Sequence, residues 1–380
     1  MQTQNIQLSE ILDTIEEMGD LSESAMEAAR ARQEVLAKPT GALGRLEDIS
    51  IQLAGITGKV KNNMQKQAIV IMSADNGVVS EGVASAPQSV TLSQTINFTR
   101  HLTGVSSMAK YFGIDLLVID VGVKMPIPEA LYAPEMTEHV CADVCCQTGL
   151  TQKIVNRRIA DGTKNLAKEP AMTEDEAFRA IRTGMEAVEA IKRCGYDIFG
   201  VGEMGIGNTT TSACVLAALC GRSGAEVVGR GGGLNDEGLA KKIRIVDEAT
   251  RGLDPADVLG ILAKVGGFDI AGMTGLFLGG AALHMPVVAD GFISCVAALC
   301  AIRMCPAVKD YVITSHKSKE PGTRMLLEAI DIPVFLDCDM CLGEGTGAVA
   351  LFPFLDMGAK LYNTLSTFED IHVEQYEELK

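Results

Sequence analysis

The chain has 380 residues, of which 47% are apolar, and a formal net charge of −16 at pH 7. This charge disfavours nucleic acid as a partner, and the absence of tryptophan leaves few aromatic surfaces for stacking bases. Glycine and alanine interrupt every long apolar run, so the sequence predicts no membrane span, and its first residues lack the features of a secretory signal. We therefore expect a globular cytoplasmic protein that binds neither nucleic acid nor a membrane.

The chain contains eleven cysteines, and without a secretory signal an odd number favours free thiols over a disulfide framework. Cys338 and Cys341 form a lone C-x-x-C pair. The sequence assigns no role to the cluster Cys141, Cys145 and Cys146. A zinc site needs about four ligands, and the five histidines are scattered. The sequence predicts neither a metal site nor a cofactor.

In chain order, apolar residues at helical spacing first predict a helix over Leu8–Met18, followed by helices over Ser22–Leu36 and Leu46–Ile56. Short apolar runs then alternate with stretches long enough for helices. Six such runs are predicted to be strands: Ala68–Met72, Leu116–Ile119, Tyr196–Val201, Pro286–Ala289, Tyr311–Thr314 and Pro333–Leu336. This alternation predicts an α/β fold in which a parallel sheet carries helices on both faces.

Polar residues follow these predicted strands. Ligands of parallel sheets bind beyond the carboxyl ends of the strands, so functional side chains are expected there. The residues concerned are Asp75, Asp120, Glu203, Asp290 and Ser315.

The segment Val201–Thr211 is the most distinctive of these strand ends. Gly202, Gly205 and Gly207 allow a tight turn, and the apolar run Ala213–Leu219 continues as a predicted helix whose N-terminus attracts anions. The segment lacks a Walker lysine and the dinucleotide-binding spacing. A phosphate site and a plain capped glycine turn both account for the segment.

Three further loops carry similar residues. Residues 229–236 form a glycine-rich loop that precedes a predicted helix, Glu237–Val246, containing Lys241 and Lys242. Residues 315–322 place hydroxyls and a lysine before a helix predicted over Thr323–Ile330. Residues 342–347 isolate the carboxylate of Glu344 between glycines, which packing does not require; this favours a catalytic role, although a solvent-exposed turn would tolerate the same sequence.

Several long motifs, in register from about residue 36 to 358, resemble the nicotinate-nucleotide:dimethylbenzimidazole phosphoribosyltransferase family. The segments that carry the resemblance are 38–47, 202–210, 229–231, 266–271, 290–292, 315–320 and 343–347. The resemblance implies a Rossmann-like domain over residues 66–351. It also implies a small helical domain drawn from residues 1–65 and 352–380, and a homodimer.

The resemblance also implies the reaction. The family moves the 5-phosphoribosyl group of nicotinate mononucleotide onto a lower-ligand base of cobalamin and releases nicotinate, without a metal or redox cofactor. Glu344 matches the family's general base, and Glu203 matches a second acid in the pocket. The residues assigned to nicotinate mononucleotide are Gly205, Gly207, Asn208, Thr209, Lys242, Ser318 and Gly343.

The expected acceptor pocket departs from the family pattern. Asn76 stands where the family has histidine, and Ala84 and Ala86 replace a serine and a tyrosine. Gln88 is retained, and Asp290 is assigned to the same pocket. The predicted acceptor is dimethylbenzimidazole or a related aromatic base, which gives an α-ribotide, and the loss of an aromatic wall leaves a different acceptor open: a purine, a substituted benzimidazole or a phenol. Gly232, where threonine is usual, is a smaller departure near the donor.

Two other classes of protein stay open from the sequence. A non-catalytic subunit paired with a paralogue would explain an altered acceptor pocket, although it would not need both Glu203 and Glu344. The assembly is therefore predicted to be a homodimer or a heterodimer with a paralogous subunit. A nucleotide-binding oxidoreductase would share the sheet, but no G-x-G-x-x-G follows the first predicted strand.

Overall fold

The structure, a computed structural model, describes residues 8–18, 20–133 and 153–375. Its six strands form one parallel sheet with the order β3-β2-β1-β4-β5-β6. The strands are β1 (Gln67–Ala74), β2 (Asp115–Gly122), β3 (Ile154–Asn156), β4 (Ile198–Met204), β5 (Val287–Ala289) and β6 (Val312–Thr314). The order reverses between β1 and β4, and in such sheets the ligand crevice opens at that point.

Helices cover both faces of the sheet, as the sequence predicts. They are α1 (Leu8–Met18), α2 (Glu23–Val35), α3 (Arg45–Thr57), α4 (Ser89–Phe98), α5 (Gly104–Phe112), α6 (Glu174–Arg193), α7 (Asn208–Cys220), α8 (Gly224–Val227), α9 (Asp236–Ala249), α10 (Val258–Val265), α11 (Phe268–Ala282), α12 (Phe292–Met304), α13 (Thr323–Ile330) and α14 (Thr346–Thr364).

Alternate residues of β1 belong to two different apolar cores. Val70 and Met72 pack into the core formed with α6, α7, α11 and α12. Ile69 and Ile71 face the core formed with α3, α4, α5 and α14. A strand buried on both faces reads as a continuous apolar run, which is why the sequence reveals β1 so clearly.

Five of the six predicted strands are confirmed, and the prediction for Pro333–Leu336 is wrong. Only Leu336 makes an isolated bridge, to His316. The guanidinium of Arg45 instead donates to the carbonyls of Pro333 and Val334 and stacks on Phe335, 3.5 Å from the ring centroid. Because a side chain binds these carbonyls, they do not join a strand ladder. The sixth strand is β3, which the sequence did not predict.

A small apolar cluster joins α2, α3 and the end of α14. Ala25, Ala29, Ala54 and Tyr362 pack together there. Nearby, Leu36 bridges Thr367 in antiparallel fashion. Because α14 runs without a break through residues 351 and 352, one helix connects the site to this cluster. The division into a small helical domain and a large α/β domain stays a prediction.

Among the described residues, no helix is long and apolar enough to cross a membrane. The cysteines in these residues are free thiols, and Cys338 and Cys341 are exposed. Cys141, Cys145 and Cys146 lie outside the described residues.

Candidate active site

The turn between β4 and α7 lies at the switch point of the sheet. β4 ends at Met204, and α7 begins at Asn208 after Gly207, whose φ of 94° is a left-handed conformation that favours glycine. At Gly205 an added Cβ would lie 2.4 Å from the carbonyl oxygen of Ala74. These glycines let the turn pack closely on β1 and leave the N-terminus of α7 open to the crevice.

Glu203, near the end of β4, belongs to a buried network of carboxylates. The Asn208 amide donates to Glu203 Oε2 and, over 3.1 Å, to Asp269 Oδ2. Glu203 Oε1 accepts from the backbone N–H of Glu344 at 3.1 Å. The pKa of Glu203 is raised to about 8, mainly by burial and also by the nearby acids Asp269 and Asp290, although the hydrogen bonds from Glu344 N and Asn208 oppose the change. The neutral form of Glu203 is therefore favoured near neutral pH.

Asp290 follows β5 and holds the loop that carries Glu344. Its Oδ2 accepts from Gly345 N at 2.9 Å and its Oδ1 from Gly347 N at 2.6 Å. These two bonds satisfy backbone N–H groups at the start of α14, which would otherwise lack partners. Burial raises the pKa of Asp290 to about 7. Asp290 and Glu203 together fix the backbone from residue 344 to residue 347.

Glu344 is 5% exposed and has a φ of 64°, an uncommon conformation for a residue other than glycine. Its Oε2 accepts from Val105 N, at the start of α5, at 3.1 Å, and its Oε1 from Gln94 Nε2 at 3.5 Å. Burial raises the pKa of Glu344, although the N–H groups of Val105 and Gly104 oppose the change. Strained backbone that surrounding bonds hold in place is a common property of functional sites.

These groups surround a cavity of about 650 Å³ at the carboxyl ends of β4 and β5. A volume of this size is ordinary for a small-molecule site. Most of the residues predicted from the sequence line it: Ala84, Ala86, Glu203, Gly205, Gly207, Asn208, Thr209, Asp290, Ser318, Gly343 and Glu344.

Three predicted residues lie outside this lining. Asn76 is fully buried beneath the β4–α7 turn, where its amide donates to Asp269 Oδ2 at 3.4 Å and accepts from Thr211 Oγ1 at 3.4 Å. Gln88 precedes α4 and binds the side chain of Asp75. Lys242 lies behind the wall of the cavity.

Lys242 is fully buried although it carries an ammonium group. Its Nζ donates to Thr209 Oγ1 at 2.9 Å and to the Gly229 carbonyl at 3.2 Å. Burial lowers the pKa of Lys242 to about 8, and Glu320 opposes this change. A buried lysine beside the N-terminus of α7 adds positive charge at the place where an anion would bind.

The other strand-end residues serve the scaffold. Asp120 accepts from the N–H groups of Gly122 and Val123 and from Tyr132, and Asp75 accepts from Lys124 N at 2.8 Å. Both therefore hold the loop after β2. The hydroxyl of Ser315 donates to the Asp290 carbonyl at 2.8 Å and so helps to hold the Asp290 backbone.

The sequence did not predict several polar residues of the site, among them Asp269, which is buried in the network, and Gln94, His316 and Glu320, which line the cavity. Asp269 is the second residue of α11, which begins directly after Gly266 and Gly267, and this spacing could have suggested a site residue. His316 Nδ1 lies 3.6 Å from Asp290 Oδ1, a contact between segments that follow different strands. Among the described residues, no cluster of three or more potential ligands is arranged to hold a metal ion.

The buried acids predict a pH dependence of stability. The pKa of Glu203 rises from 4.5 to about 8 in the folded chain, so the folded state binds the proton more tightly. Its contribution to stability is therefore complete below pH 4.5 and is lost as pH rises towards 8. We expect the free energy of unfolding to fall across this range, and Glu203→Gln to flatten the slope by up to about 1.4 kcal/mol per pH unit.

Urea unfolding at several pH values measures that slope. Glu328→Gln, at an exposed glutamate of α13 paired with Arg324, is the matched control and should leave the slope unchanged. An identical slope in wild type and Glu203→Gln would contradict the prediction.

Taken together, the fold and the site define a doubly wound α/β protein with a carboxylate-lined cavity and an anion-attracting helix N-terminus at its switch point. A family model described as "Phosphoribosyltransferase" matches residues 18–373. The chain belongs to the nicotinate-nucleotide:dimethylbenzimidazole phosphoribosyltransferase family.

Relatives with this name are similar over nearly the whole chain. The nicotinate-nucleotide–dimethylbenzimidazole phosphoribosyltransferase of Clostridium perfringens is 47% identical over 369 residues, covering 97% of this chain and 95% of the relative. The enzyme of the same name from Acetivibrio thermocellus is 43% identical, with 97% and 99% covered. The crystal structure of CobT from Thermus thermophilus superimposes with a TM-score of 0.84 at 37% identity, covering 93% of this chain and 100% of that one.

Proposed function

We propose that this chain transfers the 5-phosphoribosyl group of nicotinate mononucleotide to dimethylbenzimidazole. The products are nicotinate and α-ribazole 5'-phosphate, an intermediate of cobalamin nucleotide-loop assembly. The observation that carries the proposal is the position of Glu344, whose carboxylate borders the same cavity as the N-terminus of α7. A base and an anion site within one cavity are what this reaction needs.

The chemistry assigns a role to each side of the cavity. The pyridinium of the donor leaves as a neutral heterocycle while positive charge builds on the ribose. A nitrogen of the acceptor attacks the opposite face of the same carbon, so the β-linkage becomes an α-linkage. The acceptor then loses its N–H proton, and Glu344 accepts it. Holding two rings on opposite faces of one carbon supplies much of the rate acceleration.

The donor phosphate is assigned to the N-terminus of α7. Its N–H groups, the Thr209 hydroxyl and the ammonium of Lys242 converge there, and Ser318 lines the same cavity. The neighbouring Lys241 points elsewhere and makes a half-exposed ion pair with Glu81 at 3.4 Å. The two adjacent lysines therefore form a matched pair for a test.

Lys242→Ala removes the buried ammonium that donates to Thr209 Oγ1 behind the cavity wall, and we expect the KM for nicotinate mononucleotide to rise by about 10-fold, because losing a hydrogen bond from a charged group costs about 1.5–3 kcal/mol. Lys241→Ala should change that KM by less than about 3-fold, since exposed ion pairs contribute about 0–1 kcal/mol. Steady-state kinetics at saturating acceptor measures both values. Equal effects of the two substitutions would show that Lys242 does not support the phosphate site.

The alternative with a purine or phenol acceptor is not favoured, because relatives at 47% and 43% identity carry the dimethylbenzimidazole name. The replaced side chains Ala84 and Ala86 line the cavity, so they enlarge it beside the acceptor. Asn76 lies beneath the β4–α7 turn and does not line the cavity beside Ala84 and Ala86. We infer that the enlarged wall relaxes selectivity without changing the preferred acceptor.

A comparison of kcat/KM for dimethylbenzimidazole, adenine and p-cresol tests the function directly. We expect dimethylbenzimidazole to be preferred, and Ala86→Tyr to increase its advantage over adenine by about 10-fold, the discrimination that a filled gap typically provides. Activity with p-cresol alone would overturn the proposed acceptor. A selectivity unchanged by Ala86→Tyr would show that this wall does not determine acceptor choice.

Assembly is a separate part of the proposal. A homodimer or a heterodimer with a paralogous subunit stays a prediction, as does a cytoplasmic location. Sedimentation of the purified chain measures its oligomeric state. A dimer of identical chains that is active alone would exclude the need for a paralogous subunit.

A further inference from the structure

Gln94, on α4, contacts Glu344 from the cavity side. Its Nε2 donates to Glu344 Oε1 at 3.5 Å, while its Oε1 accepts from Asn97 Nδ2 at 3.3 Å. Gln94 lines the cavity, whereas Asn97, one helical turn further along α4, does not. The two amides and the carboxylate therefore form a chain of hydrogen bonds that runs from the helix surface into the site.

The direction of this chain matters because an amide has two different ends. An amide oxygen that faced Glu344 would oppose a carboxylate oxygen, since both atoms are hydrogen-bond acceptors. Asn97 donates to the Gln94 oxygen and so turns the Gln94 NH2 group towards Glu344. Asn97 thus selects the orientation of the Gln94 amide that donates to Glu344.

We propose that Gln94 is a positioning residue for the general base Glu344, oriented in turn by Asn97. The proposal rests on the proposed function, since it concerns the base of that reaction. Val105 N fixes one carboxylate oxygen of Glu344, and Gln94 fixes the other on the side that faces the cavity. Both oxygens of the carboxylate are thereby held at the wall of the cavity.

A hydrogen bond donated to the carboxylate also favours its charged form, which is the form that accepts a proton. The other groups near Glu344 act differently. Asp290 and Glu203 are acids that bind the backbone of residues 344–347, and α5 contributes backbone N–H groups. None of these contacts involves a side chain of α4, so we expect a substitution at Gln94 to isolate its own effect.

Gln94→Met keeps the length of the side chain but removes the donor. We expect kcat with nicotinate mononucleotide and dimethylbenzimidazole to fall by about 10-fold, and the acidic limb of the pH profile of kcat/KM to move up by about one pH unit. Asn97→Leu should shift the limb in the same direction by a smaller amount, because the freed amide of Gln94 then adopts both orientations. The KM for nicotinate mononucleotide should stay within about 2-fold in both variants.

The double variant Gln94→Met/Asn97→Leu is the decisive measurement. If Asn97 acts through Gln94, the double variant matches Gln94→Met, because residues that act as one unit are not additive. Additive losses of kcat in the double variant would overturn the proposal. So would an Asn97→Leu variant whose Tm falls while its pH profile stays that of the wild type, because Asn97 would then have only a structural role. Gln52→Met is the control: this glutamine of α3 donates to the Asp310 carbonyl, away from the cavity, and the substitution should leave the pH profile unchanged.

These outcomes are distinct from a failure of the proposed function. A wild-type chain that releases no nicotinate would refute the function itself. An active wild type whose pH profile is unaffected by Gln94→Met would refute only the role of Gln94.

Discussion

Glu344→Gln should reduce kcat by about 10²–10⁴-fold, because the amide keeps the size of the side chain but accepts no proton. The Val105 N–H donates to this side chain at 3.1 Å, and an amide oxygen accepts the same bond. The loop around residue 344 also stays fixed by Glu203 and Asp290, which bind its backbone. The loss is therefore expected in the chemical step.

Calorimetric titration with nicotinate mononucleotide measures donor binding separately from the chemical step. Donor binding should change by less than about 3-fold, since an interaction made only in the transition state affects kcat and leaves binding unchanged. Glu328→Gln, on the surface of α13, is the control for loss of a carboxylate. Turnover within 2-fold of the wild type in Glu344→Gln would show that another group takes the proton.

Asp290→Asn should have the second-largest effect. The two oxygens of Asp290 accept from Gly345 N and Gly347 N, and an asparagine turns a donor towards one of them. A buried N–H group without a partner costs about 1–3 kcal/mol of stability. The start of α14 and Glu344 then move together, and a displacement of about 1 Å lowers kcat/KM by about 10²-fold.

Urea unfolding and kinetics on the same preparation test this prediction. Asp339→Asn, at an exposed aspartate paired with Lys319, provides the control and should leave both quantities unchanged. Wild-type stability combined with a large loss of activity would indicate that Asp290 contacts the substrate directly. Wild-type values of both quantities would contradict the role described for Asp290.

The sequence predicted the architecture where burial alone determines structure. β1, β2 and β4 are buried on both faces, so each contains a run of apolar residues, which glycine interrupts only in β4. β3 has three residues, too few for a recognisable pattern. Pro333–Leu336 has the composition of a strand, but Arg45, almost 290 positions earlier in the chain, binds its carbonyls. The local sequence of neither segment indicates a contact between residues so far apart in the chain.

In the site, too, local sequence identifies some residues, whereas others depend on contacts between distant parts of the chain. Glu203 and Asp290 follow strands and Glu344 lies between glycines, so local sequence identifies all three. Asp269 and Gln94 lie on helices and join the site only because α11 and α4 pack against the carboxyl ends of the strands. The placement of Asn76 beneath the turn likewise depends on its contact with Asp269, which is 193 positions away.

We propose that this cavity joins the donor and acceptor on opposite faces of the ribose while Glu344 removes a proton. NMR can determine the configuration of the product that the purified chain makes from nicotinate mononucleotide and dimethylbenzimidazole. We expect one equivalent of nicotinate to be released for each equivalent of α-ribazole 5'-phosphate formed, with Glu344→Gln nearly inactive. A β-configured product, or nicotinate released without any ribotide, would contradict it.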